Sequence, residues 1–388
     1  MSDMKQFVNA AICTEEGIVR TNMAFSDQIV SIGAPPDCVF ETVKVPENAM
    51  ILPGFIDIHT HGAGGKDFRD EDCLAACETI SEKLAQEGTT SYLPTLGAQT
   101  FEQEILSLKE ISAFMRGEGK KGARMLGIHL EGPFLNKKHC GGLLQSVLCD
   151  PDEKMYSEFS VAAEGNIRLI TLAPELDGAL NLIRRIRRDG IVVSVGHTDA
   201  SFAEVKDAAS AGAAGITHCF NAQRGFHHRE IGTAGAAMLL DEMYCELIAD
   251  GVHVSVPAMQ LLARCKPEDK LVLVTDSTAG KGIEKDGVFS SQGRKVMIKD
   301  GAPRLADGTL KGSVLKMNEA VRRMVRDVGL PTEYAVRCAS LNPATVLGIS
   351  EKYGSIRMGK YADFTIVNED FEVLAVYRSG ERIFGKTI

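Results

Sequence analysis

Eight short apolar runs, separated by amphipathic segments, dominate residues 55–275 of the chain. The runs cover residues 55–59, 90–96, 125–131, 167–173, 191–196, 215–219, 246–250 and 271–275. Strands that alternate with helices along a sequence are typical of a parallel sheet covered by helices. Eight such units in succession predict an α/β fold of the (β/α)8, TIM-like barrel type, rather than an open doubly wound sheet.

The segments between the apolar runs carry helix signals. In residues 72–87, apolar side chains recur on one helical face at Leu74, Cys77, Ile80 and Leu84. Asp72 can cap the start of this helix, and Gly88 follows its end. Asp199 is the predicted cap of a later helix that bears Phe202 and Val205. These signals support the alternation of strands and helices.

The two ends of the chain have a different character, with short strand-like runs broken by turn residues. In the C-terminal part, such runs cover residues 362–367 and 373–377. We expect both ends to pair in one small discontinuous β domain. The predicted domains are therefore residues 1–52 and 355–388, which together form the small β domain, and residues 53–354, which form the barrel.

The third apolar run ends in a carboxylate. Residues 125–133 read Met-Leu-Gly-Ile-His-Leu-Glu-Gly-Pro, and Gly132 with Pro133 ends the strand just after Glu131. Barrels of this type carry their chemistry at the C-terminal ends of the strands. Taken alone, Glu131 can equally be an ordinary strand end that faces water.

Histidines lie at the ends of several other predicted strands. The protein has nine histidines, and five follow this pattern, namely His59, His61, His197, His218 and His253. In the first strand, the period of two places Asp57, His59 and His61 on one face. The eighth strand ends at Asp276. Imidazoles and carboxylates that meet at one barrel mouth can bind a metal ion, so the sequence predicts a metal-centred active site.

Composition narrows the range of partners. The net charge of -9 gives no basic surface for nucleic acid and no polybasic patch for a membrane. Residues 1–20 contain no continuous apolar run, so we expect no signal peptide, and no stretch is long and apolar enough to span a bilayer. The ten cysteines are scattered without a CxxC pair, which favours free thiols in a cytoplasmic protein over a disulfide framework.

The motifs at the strand ends resemble those of the amidohydrolase superfamily. The specific ones are His129-Leu130-Glu131-Gly132-Pro133 and Ala249-Asp250-Gly251-Val252-His253. Together with Pro53-Gly54-Phe55-Ile56-Asp57 and Val274-Thr275-Asp276, they are most similar to the N-acetylglucosamine-6-phosphate deacetylase family. The similarity covers nearly the whole chain. It implies a barrel with a small β-sandwich formed by both termini, which agrees with the small β domain that the strand pattern predicts.

The resemblance implies a set of metal ligands. These are Glu131, His197 and His218 for one ion, and His59, His61, Glu131 and Asp276 for a second. We therefore expect two divalent ions per subunit, with zinc favoured and iron or another divalent ion as alternatives. Many amidohydrolases bridge their ions with a modified lysine at the end of strand four, but residues 170–175 contain no lysine, which supports Glu131 as the bridge.

The activity implied by the resemblance is hydrolysis of the acetamide of N-acetylglucosamine 6-phosphate to glucosamine 6-phosphate and acetate. Asp276 would transfer the proton, and His253 would help to polarise the acetyl carbonyl. The implied substrate contacts are His139, Asn221, Ala222, Arg229, His253, Leu310, Lys311, Gly312 and Ser313. Arg229, next to His227 and His228, would reach the phosphate from the neighbouring subunit of a homodimer.

One segment departs from the family pattern. Residues 137–145 read Lys-Lys-His-Cys-Gly-Gly-Leu-Leu-Gln, where the family usually has a Lys-Gly-x-His-like loop, and His139 can replace the usual histidine. This leaves other substrates open, such as the galacto epimer or a cyclic amide. A non-catalytic assembly protein is a further alternative, but such relatives typically lose metal ligands and all of the expected ones are present here.

Overall fold

The structure, a computed structural model, describes residues 4–34, 41–117, 121–283 and 287–385. Eight parallel strands of this part form a barrel. In chain order they are β1 (Phe55–Thr60), β2 (Thr89–Gly97), β3 (Ile128–Glu131), β4 (Ile167–Leu172), β5 (Val192–Val195), β6 (Gly215–Ile216), β7 (Tyr244–Ile248) and β8 (Leu271–Val274). Each strand pairs with the next from β1 to β8. The backbone N–H of Asp276 donates to the carbonyl of His59 at 2.8 Å, which joins β8 to β1. The predicted barrel fold is confirmed.

Helices pack around the barrel. In the described residues, the α-helices are Cys73–Ala85, Phe101–Arg116, Glu153–Ala162, Ala179–Arg188, Phe202–Ala211, Gly232–Leu239, Val256–Cys265, Met317–Arg326, Thr332–Ala339 and Leu341–Val346. Short 3-10 turns cover Lys137–His139 and Gln145–Val147. The Asp72 side chain caps the first helix, as predicted, by accepting from the N–H of Ala75 at 3.1 Å.

Two predicted features of the helices are wrong. Leu74 is half exposed, because the buried face of the first helix includes Cys73 and not Leu74. Asp199 does not cap the helix Phe202–Ala211; Ser201 does so, in a capping box with Glu204. The Asp199 carboxylate instead pairs with Lys138 at 2.8 Å and Arg224 at 3.0 Å, and two cations are stronger partners than one backbone N–H.

Strands from both ends of the chain form one mixed sheet. Its order is Glu381–Gly385, Val373–Arg378, Phe364–Val367, Met50–Pro53, Lys5–Thr14, Gly17–Phe25 and Ile29–Ile32, with Glu41–Thr42 beside Lys5–Thr14. Met50–Pro53 joins the two ends, because it runs parallel to the N-terminal strand and antiparallel to Phe364–Val367. The sheet has its own core, which includes the packed rings of Phe7, Phe25 and Phe364. The exact domain limits stay a prediction, and their outermost residues lie outside the described part.

A small antiparallel sheet follows β8 and returns the chain to the barrel mouth. Its strands are Val288–Ser291, Arg294–Lys299 and Ala302–Arg304. The N–H of Lys311 then donates to the carbonyl of Pro303 at 3.0 Å, and the N–H of Ser313 donates to that of Asp276 at 2.7 Å. Gly312 has a positive φ of 55°, and a Cβ there would lie 2.7 Å from the Asp276 carbonyl. Glycine therefore allows this loop to lie against the end of β8.

Composition also led to expectations about the cysteines and about membrane-spanning segments. The described cysteines are free thiols, and Cys38 lies outside the described residues. Within the described ranges, no helix has the length and apolar character that crossing a membrane requires.

Candidate metal centre

The predicted metal ligands meet at the C-terminal mouth of the barrel. His59 lies in β1 with His61 just after it, and Glu131 ends β3. The other three follow the ends of β5, β6 and β8 by two residues, and all three have a left-handed backbone: His197 (φ 48°), His218 (φ 28°) and Asp276 (φ 46°). Such conformations are unfavourable for residues with a Cβ and concentrate at functional sites.

These six buried side chains fall into two groups, each suited to one cation. The first contains Glu131, His197 and His218, and the second contains His59, His61 and Asp276. Within the first group, Oε1 of Glu131 lies 3.1 Å from Nε2 of both histidines. Those two Nε2 atoms are themselves only 3.1 Å apart. Two nitrogens and a carboxylate oxygen that converge in this way have the arrangement of metal ligands.

Glu131 also reaches the second group. Its Oε2 lies 3.3 Å from Nε2 of His61, and its Oε1 lies 3.4 Å from Nε2 of His59. Asp276 completes this side, with Oδ1 3.2 Å from Nε2 of His61. One carboxylate therefore stands between the two groups, which is the geometry of a bridging ligand.

Hydrogen bonds on the far side of the imidazole rings prepare them to bind a cation. Nδ1 of His61 lies 3.0 Å from the carbonyl of Thr95, and Nδ1 of His197 lies 2.7 Å from that of His139. Because a carbonyl oxygen only accepts, both Nδ1 atoms carry the proton, which leaves each Nε2 with a free lone pair. Nε2 of His59 is buried and has no hydrogen-bond partner among the described residues, so this nitrogen is available to coordinate a metal ion.

A buried carboxylate on β7 supports both groups. Oε2 of Glu246 lies 2.9 Å from Nδ1 of His59 and accepts the backbone N–H of His218 at 3.1 Å. No role was predicted for Glu246 from the sequence. A signal was present, since a glutamate inside an otherwise apolar barrel strand requires a partner.

The charges of the cluster attract cations. Burial raises the pKa of Glu131, but His197 and His59 outweigh it and hold that pKa well below the usual range. For His59, burial opposes protonation, yet Glu131 and Glu246 raise its pKa well above the usual value. Burial raises the pKa of Asp276 and the neighbouring His61 and His59 lower it, with a net decrease. The carboxylates thus stabilise positive charge on the imidazoles and would equally stabilise a metal ion in the place of their protons, and the nitrogen and oxygen donors fit zinc or another divalent ion.

His253 faces the cluster from the loop after β7. Its Nδ1 lies 2.6 Å from Oδ2 of Asp250, whose Oδ1 accepts the backbone N–H of the same histidine at 2.7 Å. Burial lowers the pKa of His253, but Asp250 outweighs it and raises the pKa above the usual value. A protonated imidazole held in this way can donate a hydrogen bond to a substrate oxygen.

A cavity of about 270 Å³ opens over the metal cluster. Of the predicted substrate contacts, six line it, namely Asn221, Ala222, His253, Leu310, Lys311 and Gly312. The cavity is also lined by Arg69, Leu143 and Thr278, for which no role was predicted from the sequence.

Three predicted substrate contacts do not line this cavity. The His139 ring points to Asp199, with Nε2 3.1 Å from Oδ1, and only the backbone carbonyl of His139 supports the cluster. Ser313 is buried, and its hydroxyl donates to the carbonyl of Thr275, just after β8. Arg229 lies on an exposed loop, where its guanidinium contacts His228.

Two other residues at the predicted strand ends have supporting positions. Asp57, on the same strand face as His59, accepts from the hydroxyl of Thr275 at 2.6 Å and thereby ties β1 to β8. His129 lies beneath the cluster, with its ring centroid 4.7 Å from that of His59. Burial and the nearby His59 lower the pKa of His129 well below the usual value, so it packs as a neutral ring.

This geometry agrees with comparisons to known proteins. The model of the amidohydrolase family matches residues 50–383. The chain belongs to the amidohydrolase family and is an enzyme of that family.

The relatives point to one group within the family. N-acetylglucosamine-6-phosphate deacetylase of Bacillus subtilis (strain 168) is 37% identical, over 99% of this chain and 98% of the relative. N-acetylgalactosamine-6-phosphate deacetylase of Escherichia coli O157:H7 is 32% identical, over 95% and 97%. The crystal structure of N-acetylglucosamine-6-phosphate deacetylase from Pasteurella multocida matches with a TM-score of 0.91 and 32% identity, covering 98% of this chain and 99% of that one. The resemblance inferred from the motifs is confirmed.

Proposed function

We propose that the protein hydrolyses the acetamide of N-acetylglucosamine 6-phosphate, which yields glucosamine 6-phosphate and acetate, in a metal-dependent reaction. The observation that carries this proposal is the position of Glu131 between two groups of ligands, directly beneath the cavity. The choice of substrate rests on the similar proteins, which are N-acetylglucosamine-6-phosphate deacetylases.

The ligand set leads us to propose two divalent ions per subunit, with zinc first and iron or another divalent ion as alternatives. Glu131, His197 and His218 would hold one ion, and His59, His61 and Asp276, with Glu131 shared, would hold the second. A divalent cation in such a site would supply Lewis acidity, which polarises an amide carbonyl and lowers the pKa of a water molecule to about 7.

Asp276 and His253 would handle the proton and the developing negative charge. Asp276 lines the cavity as a carboxylate, so it can take a proton from the attacking water as the new C–O bond forms. It can then deliver that proton to the sugar nitrogen as the C–N bond breaks. His253, oriented by Asp250, would donate a hydrogen bond to the acetyl oxygen where negative charge develops.

The sugar would lie along the wall of the cavity formed by Asn221, Ala222 and Leu310. We propose that the 6-phosphate is bound by Arg229 of the neighbouring subunit in a homodimer, because the exposed Arg229 lies outside the cavity of its own subunit. We also propose a cytoplasmic location, which the free cysteines support.

A second candidate substrate is N-acetylgalactosamine 6-phosphate. The Escherichia coli relative with this name matches 95% of the chain, and its 32% identity is only slightly lower than that of the Bacillus subtilis relative. The two sugars differ only at one hydroxyl, so the same metal centre would serve either of them.

Acetate release from a substrate panel tests the proposal. Protein of measured metal content is assayed with both 6-phosphates and with the two unphosphorylated sugars. We expect the highest kcat/KM with N-acetylglucosamine 6-phosphate, and the activity should disappear with a chelator and return with a divalent metal. A higher kcat/KM with the galacto epimer would identify the second candidate as the substrate. Failure of the metal-loaded protein to release acetate from either phosphate would overturn the proposed function.

A further inference from the structure

Two cations of the cavity region converge on a single carbonyl oxygen. Nζ of Lys311 donates to the carbonyl of Gly142 at 3.1 Å, and the guanidinium of Arg294 donates to the same oxygen. Lys311 comes from the loop after β8, Arg294 from the small sheet that precedes this loop, and Gly142 from the loop after β3. One neutral acceptor is therefore shared by two positive charges.

Neither cation forms an ion pair with a carboxylate among the residues that the structure describes. Lys311 is only 5% exposed, and the one hydrogen bond of its ammonium group within the described residues goes to Gly142. Nε of Arg294 is buried without any hydrogen-bond partner in the described ranges. A buried charge without an opposite charge is unfavourable, so such a pair favours the arrival of an anion.

The lysine side chain is placed to meet a ligand. Lys311 lines the cavity over the metal cluster together with Arg69 and His61. Arg69 already has an acidic partner, because it makes two hydrogen bonds to Asp67, at 2.7 Å and 2.6 Å. Lys311, unlike Arg69, is therefore a cation of the cavity that no carboxylate of the described residues pairs with, so an anionic ligand can pair with it.

We infer that Lys311, supported by Arg294, forms an oxyanion subsite that binds a carboxylate or phosphate group of the substrate inside the cavity. This subsite lies on loops that follow β3 and β8, whereas Asn221 and Ala222 follow β6 and Arg229 lies on an exposed loop. It is thus a determinant of substrate specificity within the same subunit. The inference uses the proposed function for its choice of substrates.

The electrostatics of Lys311 agree with this assignment. Burial, with smaller effects of Arg69 and Arg294, lowers the pKa of Lys311 to about 7. An anion beside the ammonium would favour the charged form and raise that pKa again. An acidic ligand would therefore increase the positive charge of the subsite that binds it.

The anionic group that this subsite binds is either the 6-phosphate itself or a second acidic group on the sugar. Different substrates distinguish these two possibilities. We would assay N-acetylglucosamine, its 6-phosphate, its 3-O-carboxyethyl ether and the phosphorylated ether with wild-type protein and Lys311→Met. Lys311→Arg keeps the charge, and Lys295→Met removes an exposed lysine next to Arg294 as a matched control.

We expect Lys311→Met to raise KM for the acidic substrate that uses the subsite by about ten- to a hundredfold, with a much smaller change for the neutral sugar. A loss on both phosphorylated sugars would identify the phosphate, and a loss confined to the ethers would identify the carboxylate. Lys311→Arg should retain most of the affinity. Equal losses on neutral and acidic sugars, or no loss on any, would overturn the subsite.

Binding of the deacetylated amines separates this inference from the proposed function. These amines have no amide to hydrolyse, so calorimetry measures their affinity even if the protein releases no acetate. Weaker binding of an acidic amine to Lys311→Met, by about tenfold or more, supports the subsite whatever the activity. The same dissociation constant for wild type, Lys311→Met and Lys295→Met would contradict it.

Discussion

Oε2 of Glu246 lies 2.9 Å from Nδ1 of His59, and both side chains are fully buried. The same oxygen accepts the backbone N–H of His218, so one carboxylate orients residues of both ligand groups. Carboxylates behind a metal-binding imidazole fix the ring and raise the basicity of its free nitrogen.

We therefore predict that Glu246→Gln weakens metal binding by about 10- to 100-fold. The amide can still accept from the His59 ring, but it carries no charge. Competition with a chelator measures the affinity, and Glu242→Gln, at an exposed position close in sequence, is the control. Unchanged metal affinity in Glu246→Gln would show that the carboxylate has no influence on the centre.

Asp276 has a separate role in proton transfer. Asp276→Asn should lower kcat by roughly 10²–10⁴, because an amide cannot accept the proton of the attacking water. The substrate should still bind, so KM changes much less than kcat. Steady-state kinetics on protein of checked metal content measures kcat and KM, and Asp269→Asn, at an exposed position, is the control. A variant with wild-type kcat would remove Asp276 from the mechanism.

Arg229 provides a test of the proposed dimer. A charge-assisted contact to phosphate is worth about 1.5–3 kcal/mol, so Arg229→Ala should lower kcat/KM for the 6-phosphate by roughly ten- to a hundredfold. The unphosphorylated sugar should be affected much less. Equal losses on both sugars would mean that Arg229 has a structural role, and Arg264→Ala removes another exposed arginine as a control.

Mixing experiments show which subunit the arginine serves. Hybrid dimers of Arg229→Ala and Asp276→Asn chains contain one site with both intact residues if Arg229 acts across the interface. Part of the activity should then return. If confirmed hybrids stay inactive, Arg229 serves the site of its own subunit.

Glu104 gives the protein a specific dependence of stability on pH. Burial raises the pKa of this carboxyl from 4.5 to about 8, and Gln99 and Arg69 offset only part of that effect. Between pH 4.5 and pH 8 the folded chain keeps a proton that the unfolded chain loses, so the free energy of unfolding decreases as pH rises through this window.

Glu104→Gln should flatten this dependence by up to about 1.4 kcal/mol per pH unit and stabilise the protein most at pH 8. Urea unfolding at several pH values measures the slope. Glu102→Gln changes an exposed glutamate on the same helix and should leave the slope unaltered. Parallel pH profiles for wild type and Glu104→Gln would contradict the raised pKa.

Much of the barrel and of its ligand set could be predicted from the sequence, because both follow strand periodicity. Glu131, His197 and Asp276 each end an apolar run, and parallel strands bring their C-terminal ends to one mouth. The exact ends of β6 and β7 were less well predicted, since strand ends depend on tertiary contacts.

Contacts between distant segments could not be predicted in the same way. The cap assigned to Asp199 was wrong because Lys138 and Arg224 compete for its carboxylate. Likewise, the convergence of Lys311 and Arg294 on Gly142 depends on the path of two loops that carry no periodic pattern.

The metal content of Glu131→Gln tests the central claim most directly. Glu131 is the residue within 3.4 Å of both histidine pairs, so its loss should affect both ions. We predict that purified Glu131→Gln loses metal at both sites, whereas His59→Ala loses only the second ion and keeps part of its activity. Metal content in Glu131→Gln equal to that of the wild type would contradict the assignment of Glu131 as the shared ligand.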